Sequence, residues 1–354
     1  WYECVYVFGI DDVLPLLVGE YVLGTNSMSN QQHQRAWSWM PGATIRGVIP
    51  AYVLVSAVSV PLSVAYGYYC FLDEAPLTKR KRLLATSPAW ERRMGDDAAR
   101  QLIAENKSNI LPPDHRASVT VRRVGARIAA AAEKFAAENL HTEIANGAGR
   151  LNYTVIRSDM ANAFVLPNNH VFVLTGMFKY ARTEDELAGV IGHEMAHCLA
   201  RHAGERVSGN LLMNVIARLM LMLDPTGVLY TMFLPAASLL HDLPHSRDAE
   251  IEADHIGLYL AAEACYDPRA AKNIFARMKN DSSTQGQEIP PEFLSTHPSY
   301  ETRLSKFDEW MPDAMAKFNA DGGSKCVSVR REMKAARIRA DLSFAPQKIS
   351  NKER

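Results

Sequence analysis

His193, Glu194 and His197 stand in the run VIGHEMAHCLARH at residues 190–202, two imidazoles four positions apart with a carboxylate directly after the first. Four helical residues turn through about 400°, so the histidines are offset by about 40° and lie one above the other. Two imidazole nitrogens so placed can meet one ion, and HExxH is the arrangement found in zinc peptidases. Glu194 is turned about 100° from His193, towards a water beside the ion rather than the ion itself. Two histidines leave a catalytic zinc one protein ligand short. SRDAEIEADHIG at residues 246–257 supplies candidates, because Glu250 and Asp254 share one helical face. Glu250 can ligate the metal while Asp254 accepts a hydrogen bond from the far nitrogen of His193. Ser246 is placed to cap that helix, and Glu252, on the opposite side, is read as solvated.

These side chains need rigid elements beneath them. Thr183 with Glu186 makes a capping box, and the apolar stripe Leu187, Ile191, Met195, Cys198 and Leu199 follows at helical spacing. Residues 88–140 also carry a helical pattern, with the alanine-rich VGARIAAAAEKFAAENL as a packing helix. The period changes after Gly149. LNYTVIR and NAFVLPNNHVFVLTG read as strands, with a tight turn at Pro167, Asn168 and Asn169. Helix, strands, then helices again make an α+β domain over residues 90–312.

A membrane reading comes from residues 47–72, GVIPAYVLVSAVSVPLSVAYGYYCFL, 26 residues without a formal charge. A span needs about 20 apolar residues, and tyrosines 66, 68 and 69 stand where an interfacial belt belongs. TKRKR follows, four positive charges in a juxtamembrane linker over residues 73–89, suited to topology or to anionic headgroups. Residues 1–46 are an N-terminal segment, read as incomplete because the chain opens on Trp1. Residues 313–354 form a basic tail, in which RREMKAARIRADL from Arg330 onward is read as a solvated amphipathic helix. The apolar residues 211–240 are broken by Arg218, Asp224 and Pro225. They suit a helical hairpin that dips into the membrane or covers the cleft better than a second span. Lysine plus arginine equals aspartate plus glutamate at 39 each, so no global field attracts nucleic acid. The five cysteines are scattered and fit neither a disulfide framework nor a CxxC metal site.

HEMAH at 193–197, SRDAEIEAD at 246–254, NAFVLPNNHVFVLTG at 162–176 and THPSYETRL at 296–304 together resemble the membrane-associated zinc metallopeptidases of the HtpX and CAAX prenyl protease type. The likeness covers about residues 73–315 and is greatest to the mitochondrial inner-membrane branch, whose activity overlaps that of the m-AAA protease. Two departures, asparagines after Pro167 and Cys265 where glycine is common, leave the proposed ligands untouched. The resemblance implies a zincin-like domain with one zinc on His193, His197 and Glu250. It implies substrate added as an extended strand along an exposed edge, here residues 162–166, with Asn162, Ala163 and Phe164, or residues 171–174. His297 would face the reacting carbonyl as a proton donor, with Arg303 in support.

The function so implied is hydrolysis of membrane-associated proteins by a membrane-anchored zinc endopeptidase. Zinc would lower the pKa of its water towards about 7 and polarise the scissile carbonyl, and Glu194 would carry the water proton to the leaving amine. The branch adds a place, the inner membrane with the peptidase facing the intermembrane space, and a job in protein quality control and stress response. Partners are then the bilayer and membrane-protein substrates, with no nucleic acid and a homo-oligomer left open. A bacterial-type envelope chaperone-protease, a CAAX prenyl protease and an inactive scaffold with structural zinc are the alternatives. His202, His241, His245 and His255 have no spacing that suggests chemistry and are read as core or surface residues.

Overall fold

The structure, a computed structural model, describes residues 51–140, 151–224, 226–284 and 300–343, and the chain divides at Asp73 into two compact units. In the first, α1 (Ala51–Cys70) covers most of the charge-free stretch, and Val58, Leu62, Tyr66 and Tyr69 on it are exposed. Among the described residues no helix is long and apolar enough to cross a membrane.

In the second unit, after the short strands β1 (Leu72–Glu74) and β2 (Lys81–Leu83), come α2 (Pro88–Glu105) and α3 (Arg116–Asn139). Ser87 caps α2 by accepting from the Trp90 amide, and Pro88 fills the first helical position, where a missing N–H costs nothing. Three strands follow, β3 (Asn152–Ile156), β4 (Ala163–Val165) and β5 (His170–Leu174), in the order β3-β5-β4. β3 runs parallel to β5, while β4 runs antiparallel to it through the expected turn, where Asn169 adopts φ 62°. Asparagine tolerates that left-handed conformation better than most residues. β5 is therefore the central strand and buried throughout, which removes residues 171–174 as an edge. β4 lies at one edge of the sheet, pairing only with β5 among the described residues, and β3 lies at the other.

Helices α4 (Glu184–Leu199), α5 (His202–Leu223), α6 (Val228–Glu263), α7 (Arg269–Thr284), α8 (Tyr300–Phe318) and α9 (Ser324–Ser343) complete the unit. α4 lies at the centre, packed on α3, α6, α7 and β4. α6 runs unbroken for 36 residues, so no helix starts at Ser246: the apolar run before it is already helical. Residues 211–240 accordingly divide between α5 and α6 at the Asp224 C-cap and Gly227, whose φ of 76° suits glycine. α8 continues past residue 312, and α9 folds back onto the domain. A Cys265–Cys326 disulfide ties it there, joining cysteines 61 residues apart that no local spacing pairs. The Glu263 carboxylate also accepts from Lys134, Lys317 and Lys325. Burial raises its pKa, but these three ammonium groups outweigh that and hold it at about 2.

Candidate metal centre

α4 begins on the capping box expected of Thr183 and Glu186: the Thr183 hydroxyl accepts from the Glu186 amide, and the Glu186 carboxylate accepts from the Thr183 amide. Glu184, Asp185 and Glu186 put negative charge on the first turn, opposite the positive end of the helix dipole. The helix so fixed carries Leu187, Ile191, Met195 and Leu199 into the core and holds His193, Glu194 and His197.

α6 crosses α4 at two glycines. A Cβ on Gly257 would lie 2.9 Å from the His193 nitrogen and 3.0 Å from its Cα, and one on Gly192 would lie 3.1 Å from the Gly257 oxygen. Only backbone without side chains can approach this closely, and the approach is what brings Glu250, two turns earlier on α6, up to the histidines. We expect Gly257→Ala to push the helices apart, lower stability by about 1–3 kcal/mol and weaken metal binding. Thermal melts and zinc titration of the variant test this; unchanged values in both would mean that the crossing does not set the site.

The candidate ligand atoms then converge. His193 Nε2 and His197 Nε2 are 3.1 Å apart, and Glu250 places Oε2 3.4 Å from the first and Oε1 3.5 Å from the second. Donors at about 2.0–2.2 Å from a tetrahedral zinc stand about 3.3–3.6 Å from one another, so the two carboxylate distances already suit that ion and the two imidazoles need only part slightly. Among the described residues this is the one group of three histidine, cysteine or acidic side chains spaced for a metal.

His193 Nδ1 lies 3.0 Å from Asp254 Oδ1, and Asp254 is in turn clamped by Arg303, whose Nε and Nη2 donate to its two oxygens at 2.6 and 2.8 Å. Arg303 Nη1 also lies 3.1 Å from Glu250 Oε2, and the guanidinium sits over the Phe275 ring, so its supporting role has a definite form. Burial disfavours a charged His193, but the hydrogen bonds and charges of Asp254 and Glu250 outweigh it and raise the imidazole to about 9. The pocket thus favours positive charge at that nitrogen. Glu194 is 3% exposed and follows His193 on the same buried turn. β4 packs against α4, and the Cys198 thiol donates to the Leu166 carbonyl just beyond β4. His297 lies outside the described residues, as do the side chains of His241 and His245, whereas His255 stacks on Trp310.

Two expectations change. Glu252 is not solvated but 2% exposed, because the second face of α6 is covered by the segment around Arg80. The TKRKR cluster is not a uniform surface charge either: Arg80 pairs with Glu205 and Glu252, and buried Arg82 donates to the Ala200 carbonyl, while Lys79 and Lys81 face outward. His202, which had no spacing argument, is buried with its Nδ1 2.8 Å from His197 Nδ1. Helical periodicity could not have shown this, since α4 ends before it and the chain turns at Arg201 with φ 56°.

Residues 123–311 match the model of peptidase family M48. The chain belongs to that family. It is similar to the mitochondrial metalloendopeptidase OMA1 of Schizosaccharomyces pombe, 38% identical over 253 residues that cover 71% of this chain and 69% of that one. The Saccharomyces cerevisiae protein of the same name is 30% identical over 251 residues, covering 70% and 71%. Metalloendopeptidase OMA1, mitochondrial, of Danio rerio is 30% identical over 295 residues, covering 81% of this chain and 58% of that one. This M48 chain is a metalloendopeptidase, with a mostly helical domain and a small sheet.

Proposed function

We propose that this M48 peptidase binds one zinc on His193, His197 and Glu250, and that it cleaves membrane-associated proteins from a place in the mitochondrial inner membrane. The observation that carries the metal assignment is the convergence of the ligand groups, 3.1–3.5 Å apart, close to what tetrahedral zinc needs. Zinc bound there would act as a Lewis acid on the scissile carbonyl and make a water nucleophilic near neutral pH. The chain's own residues do the rest. Glu194 takes a proton from the attacking water on its carboxylate and delivers it to the leaving amine nitrogen. Asp254, itself held by Arg303, fixes the proton of His193 on Nδ1 and so leaves Nε2 free to ligate. An extended substrate would lie along β4, at Asn162, Ala163 and Phe164, with main-chain hydrogen bonds that ask little of sequence. His297 is assigned as a donor to the carbonyl oxygen as it gains charge.

The membrane assignment draws on the uncharged residues 47–72 and on the exposed Val58, Leu62, Tyr66 and Tyr69 of α1, apolar groups that a bilayer would cover. The place draws on relatives named as mitochondrial metalloendopeptidases. With the domain on the intermembrane-space side, its work would be quality control and stress-triggered cleavage of inner-membrane proteins.

The activity is tested with the purified full chain on casein: cleavage should stop with a chelator and return with zinc, and chelator-resistant cleavage would refute the metal's role. The place is tested by carbonate extraction and by protease protection in intact and outer-membrane-ruptured mitochondria. Complete release by carbonate would remove the anchor, and a domain still shielded after rupture would reverse the orientation.

A further inference from the structure

We propose that His202 is a positioning residue for the metal ligand His197, held for that task by Glu252 and Arg80. The inference rests on the metal assignment above and extends it to residues outside the HExxH and ExxxD motifs.

The direction of each hydrogen bond follows from its far end. Glu252 accepts from Thr78 Oγ1 and Arg80 Nε at Oε1, 2.6 and 2.8 Å away, and from Arg80 Nη2 at Oε2, 3.1 Å away. With the Arg80 guanidinium donating to both its oxygens, Glu252 is an ion-paired carboxylate with no proton to give. His202 Nε2, 3.0 Å from Glu252 Oε2, must therefore be the donor. A neutral imidazole with its proton on Nε2 has a lone pair on Nδ1. That nitrogen is 2.8 Å from His197 Nδ1; with His197 ligating through Nε2, the atom that faces His193 and Glu250, the His197 proton is on Nδ1 and His202 Nδ1 accepts it.

The two metal histidines are thus served by matching devices. His193 is held directly by a carboxylate that an arginine clamps, Asp254 with Arg303. His197 is held by the pair Glu252 with Arg80, with one imidazole interposed. The turn that presents it is itself anchored: Arg201 donates to both Glu91 oxygens and to the Thr86 carbonyl. Arg80 further donates to both oxygens of Glu205 on α5, at 2.6 and 2.8 Å, which orients its guanidinium towards Glu252. Arg80 lies upstream of residues 123–311, the part that matches the family. Part of the ligand's orientation therefore comes from a segment ahead of the matched residues but inside the same compact unit.

The test compares zinc affinity, by chelator competition, and the visible spectrum of the cobalt-substituted full chain for wild type, His202→Leu and His202→Gln. Leucine keeps the bulk and removes both hydrogen bonds, and zinc affinity should fall about 10–100-fold, with an altered cobalt spectrum. Glutamine can accept from His197 through its oxygen while its amide donates to Glu252, and should restore most of the affinity. A His202→Leu chain that folds and binds zinc like wild type, with an unaltered cobalt spectrum, overturns the proposal. So does a glutamine variant as weak as the leucine one, which would mean that bulk or burial rather than the hydrogen bonds is at stake. If the leucine variant does not fold, Arg80→Gln serves instead: weaker zinc binding supports the chain, and wild-type affinity overturns it. A wild-type protein that binds no zinc would instead refute the metal assignment, and this inference would fall with it.

Discussion

Glu194→Gln is expected to leave zinc bound and to lower peptidase turnover by about 10²–10⁴-fold, the range that a positioned general base contributes. The amide keeps the size and polarity of the side chain on the buried turn after His193, and Glu194 is not one of the three candidate ligands, so fold and metal should persist. What it loses is the ability to take a proton from water. Metal content and kcat on a peptide substrate, measured on the same preparation, decide the matter. Retention of more than a few per cent of wild-type turnover would mean that another group is the base, and loss of zinc would mean that Glu194 helps to hold it.

Arg303→Met should be the most damaging change to the fold among the residues around the metal. The guanidinium is 2% exposed and neutralises both Asp254 and Glu250. Its positive charge holds the Asp254 carboxyl below the ordinary carboxylate range against the opposing effect of burial. Removing one partner of a buried ion pair costs about 3–5 kcal/mol, because the other charges remain in a place that water cannot reach. The loss should be greater in zinc-free protein, since a bound cation would itself offset Glu250. Arg303→Lys should recover only part of it, because an ammonium cannot reproduce the fork that meets both Asp254 oxygens. Thermal unfolding of the three proteins with and without zinc tests this, and a midpoint for Arg303→Met that matches wild type under both conditions would contradict it.

The parts of the site that were legible in the sequence lie within single helices, where spacing translates directly into a shared face. His193 with His197, and Glu250 with Asp254, are each four apart, and the two faces so formed meet each other across the helix crossing. The capping box and the turn at Asn169 are equally local and equally legible. Contacts across a break or between distant segments were not. Glu252 looks solvated when only α6 is considered, and becomes buried because Arg80, 172 residues earlier, folds over it. His202 is five residues from His197 but beyond the end of α4, so no helical rule relates them. Ser246 carries a capping signal that a longer helix overrides, and Cys265 finds Cys326 only because α9 returns to the domain.

The most direct test of the account is X-ray absorption at the zinc edge on the purified full chain, alongside metal analysis of wild type and Glu250→Ala. Wild type should hold one zinc per chain, bound by two imidazole nitrogens and a carboxylate oxygen at about 2.0–2.2 Å, and Glu250→Ala should lose the metal. No zinc in wild type, a sulfur scatterer at about 2.3 Å, or a zinc environment unchanged by Glu250→Ala would contradict it.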